Sequence, residues 1–506
     1  MAYFDLSPEE LMKITTLGEL KKSGYTPRSI KDELRSNLIN KLNNNENVFE
    51  GIWGYEDTVI PEIERAILSR HNINLLGLRG QAKTKIARQM INLLDAVIPV
   101  VEGSEMNDDP LSPLSKKAKD IIKEKGDDTP VKWLKREDRY SEKLATPDVS
   151  VADLIGDVDP IKAATLKLPY SDERVIHFGI IPRSHRGIFV INELPDLQAR
   201  IQVSLFNILQ EGDIQIRGFK LRLPLDIQFI FTANPEDYTN RGSIVTPLKD
   251  RIGSQIITHY PDSIETSKHI TAQEARLADD QKNDIIIPEL IKDLVEQVAV
   301  EARKSEYVDV KSGVSARLTI TAFENLVSTA ELRKIRSGVS QATSRISDIN
   351  GIIPAITGKV ELVYEGEQEG PVIVAQNMIG KAIRTQFRNY FPDPEQTRKL
   401  KEGNPYKSLT EWFGGGNSID ILNEASESDY REKLNSVPGL KKLVDDNIKG
   451  LSEDEKFLFM EFALHGLAEY SMLSKKKLIK GHTFGDLLSS MFSMDDLDKY
   501  DDDEDI

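Results

Sequence analysis

Residues 77–84 read Gly-Leu-Arg-Gly-Gln-Ala-Lys-Thr, and this stretch decides the fold. An apolar segment at Asn74–Leu78 leads into it and predicts a short buried strand. An amphipathic segment at Lys83–Leu94 follows it and predicts a helix. A glycine-containing turn from a strand into a helix is the setting of a phosphate loop, in which backbone N–H groups and the helix N-terminus surround phosphate oxygens. The stretch therefore predicts a nucleotide-binding α/β domain.

The residues of this loop have separate predicted roles. Lys83 would neutralise oxygens of the β- and γ-phosphates, and the Thr84 hydroxyl would bind Mg²⁺. Ala82 stands where a glycine is usual, so we expect its φ angle to be negative. The alternative is a strand-to-helix turn with an incidental Lys-Thr pair. The predicted nucleotide-binding residues of the loop are Gly77, Gly80, Gln81, Ala82, Lys83 and Thr84.

A second apolar strand, Gly187–Ile191, ends in the polar pair Asn192 and Glu193. Phosphate-loop ATPases normally have Asp-Glu here, where the aspartate supports Mg²⁺ and the glutamate polarises the attacking water. Asn192 can still hydrogen-bond a water on Mg²⁺ but adds no charge, which predicts weaker metal binding or slower hydrolysis. The alternative is a strand that simply ends in polar turn residues.

Two further positions could complete the site. Asn234 follows the apolar strand Ile227–Ala233 and could orient the attacking water, although an Asn before a Pro is also a common turn. Arg251 could reach the γ-phosphate of a neighbouring subunit, and its alternative is a surface pair with Asp250. Arg317 could reach the phosphates from a helical domain of the same chain, and Arg241 is a weaker candidate.

The order of the patterns predicts a parallel sheet covered by helices on both faces, followed by helical regions. The predicted parts are an N-terminal helical segment (1–50), the α/β domain (51–262), a helical lid (263–391), a helical C-terminal region (392–494) and an acidic tail (495–506). Within them we expect a surface excursion at 103–147, a hairpin at Ile214–Leu223 and an inserted hairpin starting at Val360–Tyr364. A further apolar run of strand length, Gln255–Thr258, is predicted to be the last strand of the α/β domain.

Bulk composition excludes several classes of function. The 506 residues carry a net charge of −16, which argues against general nucleic-acid binding. The chain has no cysteine, which rules out disulfides, thiol nucleophiles and cysteine-based zinc sites. The seven histidines lack metal-ligand spacing, so His177 and His185 are predicted to be structural. Without an apparent signal segment or membrane-spanning apolar run, a cytoplasmic location is the default expectation.

Together these elements resemble the AAA+ ATPases of the helix-2-insert group, in particular the magnesium-chelatase I-subunit and MoxR-like branch. The resemblance covers Gly51 to Arg336. It includes Ile52-Trp-Gly54-Tyr, which is similar to the segment that packs on adenine, and the segments Leu154–Asp159 and Ile180–Gly187, which flank the helix-2 insert. The Ala-Lys-Thr ending of the phosphate loop is frequent in MoxR-like proteins. The roles that the resemblance implies are adenine contact for Ile52 and Gly54, phosphate binding for Lys83 and Thr84, metal support for Thr84 and Asn192, catalytic base for Glu193, sensor 1 for Asn234, arginine finger for Arg251 and sensor 2 for Arg317.

The resemblance also implies ATP and Mg²⁺ as cofactors, a hexameric ring and a partner with a von Willebrand A-type domain. The implied function is an ATP-driven machine that remodels a partner or assists metal insertion. The region beyond residue 392 is not accounted for by the resemblance to chelatases, which favours a general remodeller over a true chelatase subunit that acts on a porphyrin. Because of Asn192, a nucleotide-gated scaffold with little turnover is a second hypothesis. A sigma-54-type activator is disfavoured, since the chain has no Gly-Ala-Phe-Thr-Gly-Ala loop.

Overall fold

The structure is a computed structural model that describes residues 7–170, 172–214, 216, 223–235, 243–398, 403–478 and 481–487. The tip of the hairpin predicted at 214–223, Arg241 and the predicted acidic tail lie outside the described residues. The chain divides into two compact units, residues 1–260 and 261–506. Each unit has its own core.

The first unit is built on a five-stranded parallel sheet, which confirms the predicted α/β class. Its strand order is β5-β1-β4-β3-β2. The strands are β1 (Ile73–Leu76), β2 (Tyr140–Leu144), β3 (Gly187–Asn192), β4 (Ile227–Ala233) and β5 (Ser254–Ile257). The helices that the site description uses are α1 (Ile30–Asn43), α2 (Val59–Leu68), α3 (Lys83–Gln89), α4 (Phe206–Glu211) and α5 (Thr246–Arg251).

Both faces of the sheet are buried, and for this reason most positions of its central strands are apolar. In β3, Ile188 and Val190 join the core beneath α1, α2 and α3, whereas Phe189 and Ile191 join the core on the opposite face. Successive side chains of a strand point to opposite faces, so a strand buried on both sides needs apolar residues throughout. The further helices of this unit are Pro8–Leu11, Leu17–Lys22, Lys116–Lys125, Val151–Leu154, Pro160–Leu166, Ile180–Arg183 and Ala199–Ser204.

The expectation that residues 103–147 form a surface excursion is wrong for the second half of this range. Tyr140–Leu144 is β2, the edge strand that pairs with β3, and Val131–Lys135 pairs antiparallel with Val97–Val101. The sequence of β2, Tyr-Ser-Glu-Lys-Leu, is mostly polar because an edge strand is only partly buried. At the predicted hairpin, the described ends Asp213–Ile214 and Leu223–Pro224 pair antiparallel.

The second unit is mainly helical. Its principal helices are α6 (Ile264–Glu274), α7 (Glu289–Lys304), α8 (Arg317–Ser337), α9 (Tyr364–Glu369), α10 (Pro371–Tyr390) and α11 (Glu453–Glu469). The described part of this unit also contains the helices Asp279–Asp284, Ile353–Thr357, Pro394–Thr397, Lys407–Gly414, Glu427–Asn435 and Leu440–Asn447. Three antiparallel strands accompany them in the order Ile419–Leu422, Gly481–Gly485, Ser474–Leu478.

The structure corrects two expectations about this unit. One hydrophobic core extends from Leu290 to Phe484, so residue 391 is not a boundary of the core. The hairpin predicted at Val360–Tyr364 is also wrong, because Tyr364–Glu369 is helical and Leu362 forms only an isolated bridge. Gly366 packs so closely on this bridge that a Cβ atom there would lie 2.6 Å from the carbonyl oxygen of Tyr307. Among the described residues, no helix is both long enough and apolar enough to cross a bilayer.

Candidate functional site

The predicted phosphate loop connects β1 to α3 through two left-handed residues. Gly80 has a φ angle of +74° and Ala82 has a φ angle of +55°. The expectation that φ of Ala82 is negative is therefore wrong. A residue with a Cβ atom is disfavoured in this region by about 1–2 kcal/mol, so the surrounding structure must hold Ala82 in place.

Gly77 at the start of the loop packs closely against two side chains. A Cβ atom there would lie 1.9 Å from Thr258 Oγ1 and 2.2 Å from Gln81 Oε1. These two atoms are themselves hydrogen-bonded at 2.7 Å, with the Thr258 hydroxyl as the donor. The Gln81 side chain therefore fills the space beside the backbone of Gly77.

Lys83 is at the centre of the site, where its side chain is almost fully buried. Its ammonium group donates to the Leu78 carbonyl at 2.9 Å and to Asn234 Oδ1 at 2.6 Å, and it also contacts the Gly77 carbonyl. The lysine therefore lies within the loop and is joined directly to the end of β4. The alternative of an incidental Lys-Thr pair does not explain why this cation is buried at such a junction.

Asn234 also reaches the predicted base. Its Nδ2 atom donates to Glu193 Oε2 at 2.8 Å, while its Oδ1 atom accepts from Lys83. Because β3 and β4 are adjacent parallel strands, the residues that follow them emerge at the same edge of the sheet. The structure thus brings together three residues that are distant in the sequence, as the predicted site requires.

Asn192, at the end of β3, faces two hydroxyl groups. Its Oδ1 atom accepts from Thr232 Oγ1 at 3.2 Å and from Thr84 Oγ1 at 3.5 Å. Thr84 and Asn192 therefore place a hydroxyl and an amide oxygen side by side, and both are hard oxygen donors that suit Mg²⁺. We call Lys83, Thr84, Asn192, Glu193, Thr232 and Asn234 the polar cluster.

Thr232 is a member of the polar cluster that the sequence analysis missed. Its buried hydroxyl bonds Asn192 and accepts from the backbone N–H of Glu193 at 3.1 Å. Glu193 itself has a φ angle of +56°, so this bond helps to hold an unusual backbone conformation. The available signal was a hydroxyl residue near the end of the mostly apolar strand Ile-Gln-Phe-Ile-Phe-Thr-Ala.

The segment predicted to lie near adenine packs beside the phosphate loop. Ile52 is buried in the core with α2 and α3, and Gly54 has a φ angle of +77°. The next residue, Tyr55, ends this segment, and the sequence analysis gave it no separate role. Its hydroxyl lies 3.1 Å from the Gln81 carbonyl and 2.7 Å from the His259 carbonyl, and burial raises its pKa to about 12.

Arg251 is the last residue of α5 and is held by α4. Its Nε atom donates to Gln210 Oε1 at 3.0 Å, its Nη1 atom donates to the Pro247 carbonyl at 2.7 Å, and its guanidinium lies over the Phe206 ring at 5.1 Å. The described contacts of Arg251 are thus not with Asp250 or with the polar cluster. Its role as an arginine finger stays a prediction.

Arg317 is the exposed first residue of α8 in the second unit, where its backbone N–H donates to Ser315 Oγ at 3.1 Å. Its role as sensor 2 stays a prediction. His185 is buried, its Nδ1 atom accepts from the N–H of Asp226 at 3.0 Å, and burial lowers its pKa to about 4. His177 is an exposed residue of a short strand that pairs with Gly156–Val158.

Comparison with known proteins gives partial matches. An archaeal Lon protease from Thermococcus kodakarensis is 30% identical over 166 residues, which is 30% of this chain and 25% of that protein. The archaeal Lon protease from Halobacterium salinarum is 27% identical over 165 residues, which is 30% of this chain and 23% of that protein. The chain thus spans about a quarter of the length of these relatives. No family model matches the chain.

Among solved structures, the complex between subunits BchI and BchD of magnesium chelatase is similar to this chain. The identity is 19%, the TM-score is 0.33, and the match covers 63% of this chain and 98% of the other.

Proposed function

We propose that the chain binds ATP with Mg²⁺ and hydrolyses it as an AAA+ ATPase. The observation that carries the proposal is the continuous connection from Lys83 through Asn234 to Glu193. A lysine in a phosphate loop can neutralise phosphate charge, and an amide beside a carboxylate can orient and activate a water, so this connection supports the proposal.

Each residue of the polar cluster has a chemical task in this proposal. Lys83 stabilises negative charge on the β- and γ-phosphates, and Glu193 accepts a proton from the attacking water. Asn234 holds that water in line. Thr84 and Asn192 fit an ion with oxygen ligands, and Mg²⁺ bound there would supply positive charge to the phosphates.

A test of this proposal measures nucleotide binding and phosphate release by the full chain. Lys83→Ala should abolish binding of ATP with Mg²⁺, whereas Lys85→Ala, two residues further along α3, is the matched control and should retain it. Lys85 donates to the carbonyl of Gly51 at 3.2 Å, so the control removes an ordered lysine as well. If the wild type does not bind ATP or ADP, the proposal is wrong.

The second candidate, a nucleotide-gated scaffold, is favoured by the uncharged Asn192. It predicts that wild-type phosphate release is no faster than that of Glu193→Gln, while nucleotide binding is intact. The hydrolase proposal predicts a fall of about 100-fold or more in Glu193→Gln, because a general base is lost. Steady-state phosphate release by the two proteins distinguishes the candidates.

The finer proposal is a machine of the magnesium-chelatase or MoxR type that remodels a partner protein or assists metal insertion. It would act in the cytoplasm as a hexameric ring, with each site completed by Arg251 of the next subunit, and with a von Willebrand A-type partner. Arg251 supports this because it is held at the end of α5 by Gln210 and Phe206 rather than by the polar cluster. Images of the protein with a non-hydrolysable ATP analogue test the ring. Metal insertion into protoporphyrin in the presence of partner subunits would favour a true chelatase.

A further inference from the structure

The backbone of Ala82 has an unfavourable conformation that the loop could relieve by a simple rotation. Its φ angle is +55° and its ψ angle is +11°. The peptide group that joins Gln81 to Ala82 is planar, so it can turn over as a unit by rotation about ψ of Gln81 and φ of Ala82. Such a turn would move φ of Ala82 into the negative region that alanine prefers. It would also reverse the directions of the Gln81 carbonyl and the Ala82 N–H.

Contacts on the β5 side hold this peptide group against that rotation. The buried Tyr55 hydroxyl has two carbonyl acceptors within hydrogen-bond distance, that of Gln81 at 3.1 Å and that of His259 at 2.7 Å. The Thr258 hydroxyl fixes the Gln81 side chain at 2.7 Å, and the Tyr55 ring packs edge-on against the His259 ring with centroids 4.9 Å apart. Turning the peptide over would break the bond from Tyr55 to Gln81.

The same peptide group matters for the ligand. In a trans peptide the carbonyl and the N–H point in opposite directions, so a carbonyl held towards Tyr55 leaves the Ala82 N–H pointing to the other side. Phosphate loops bind phosphate through backbone N–H groups. With glycine at position 82, the positive φ angle would cost little, and the contact with Tyr55 would be dispensable.

We propose that Tyr55 is a positioning residue, which together with Thr258 holds the Gln81–Ala82 peptide in its phosphate-binding orientation and so compensates for the alanine at position 82. This inference rests on the proposed ATP binding. It predicts a specific coupling, since the hydroxyl of Tyr55 should matter for nucleotide affinity only while residue 82 is alanine.

The test is a double-mutant cycle in the full chain. The affinity for a fluorescent ATP analogue with Mg²⁺ is measured for the wild type, Tyr55→Phe, Ala82→Gly and the double variant. We expect Tyr55→Phe to weaken binding about three- to tenfold in the wild-type background, the range expected for one hydrogen bond, and less than about twofold in the Ala82→Gly background. Tyr140→Phe is the matched control, because its hydroxyl bonds Glu142 at 2.9 Å in the same unit and away from the loop. It should leave the affinity unchanged.

The outcomes separate this inference from the proposed function. Equal losses in both backgrounds, or no loss in Tyr55→Phe, would overturn the role of Tyr55 while leaving ATP binding intact. Absence of binding by the wild type would overturn the proposed function itself. Thermal unfolding of each variant identifies a folding defect. If Tyr55→Phe does not fold, the same double-mutant cycle is measured with Thr258→Val in place of Tyr55→Phe. That cycle supports the inference if the loss of affinity depends on Ala82 and contradicts it if the loss is the same in the Ala82→Gly background.

Discussion

Asn234 donates a hydrogen bond of 2.8 Å from its Nδ2 atom to Glu193 Oε2, and thereby fixes the direction of a carboxylate that comes from the neighbouring strand. The opposite side of the same amide accepts from Lys83. An ionised aspartate can only accept hydrogen bonds, and alanine has no polar side-chain atom, so neither residue can make both contacts.

Asn234→Ala is therefore expected to lower kcat about 10- to 100-fold while changing ATP affinity little, since Lys83 and the loop remain. Stopped-flow binding and steady-state phosphate release measure the two quantities separately. An equal loss of kcat and of ATP affinity would indicate that Asn234 only supports the fold of the loop. The melting temperature of the variant is the control for a folding defect.

Asn192→Asp should increase the apparent affinity for Mg²⁺. The new carboxylate would lie beside the Thr84 hydroxyl, where an additional negative charge attracts a divalent cation. We expect the Mg²⁺ concentration for half-maximal ATPase activity to fall about three- to tenfold, equivalent to about 1 kcal/mol. If this concentration stays the same or rises, the ion does not contact residue 192.

Arg251→Ala and Lys83→Ala test whether sites are shared between subunits. Each variant should be inactive alone, because one lacks the proposed arginine finger and the other lacks phosphate binding. Mixed in equal amounts, they should recover part of the activity, since a subunit with an intact phosphate loop can meet a neighbour with an intact Arg251. A mixture with no more activity than its components would contradict a shared site.

The N-terminal segment should be essential for the stability of the first unit. Arg139 makes two hydrogen bonds to the Glu33 carboxylate, at 2.7 and 2.6 Å, and both side chains are buried. Glu33→Gln leaves a buried arginine without its counter-charge and should reduce the free energy of unfolding by about 3 kcal/mol. The adjacent Asp32→Asn is the control, because its pair with Arg70 is exposed and should contribute less than about 1 kcal/mol. If chemical denaturation shows that both variants lose a similar free energy of unfolding, the buried pair contributes no more to stability than the exposed pair.

Asp226 predicts a pH dependence of stability. Burial raises the pKa of its carboxyl group to about 6 from 3.8, so the folded chain binds more protons than the unfolded chain between these values. Wild-type stability relative to Asp226→Asn should therefore decrease as the pH rises from 4 to 7, by up to about 3 kcal/mol. A difference that does not vary with pH would show that Asp226 keeps an ordinary pKa.

The central strands and the phosphate loop could be predicted because their residues are strongly patterned. Strands β1, β3 and β4 are apolar at most positions since the sheet is covered on both sides. The edge strand β2 could not be predicted from Tyr-Ser-Glu-Lys-Leu, because its position depends on pairing with β3 and not on its own hydrophobicity. For the same reason, a helical pattern beyond residue 392 could not reveal that the C-terminal helices share a core with α7 and α10.

The site residues at the strand ends and in the phosphate loop could be predicted from the sequence. The residues that hold them in position could not. Lys83, Glu193 and Asn234 each follow or open a recognisable element. Tyr55 and Thr232 act through one hydroxyl each, and the value of a hydroxyl depends on which acceptor the fold brings to it. The φ angle of Ala82 was missed for the same reason, since local preference was overridden by contacts from residues far along the chain.

The register between β3 and β4 fixes the positions of the two strand ends relative to each other. The two strands are bonded in parallel from Gly187 beside Ile227 to Ile191 beside Phe231, so Glu193 and Asn234 are carried by one stiff platform. Glu193 and Asn234 therefore cannot separate without breaking the pairing of β3 with β4. A motion driven by the proposed ATP turnover would begin outside the sheet.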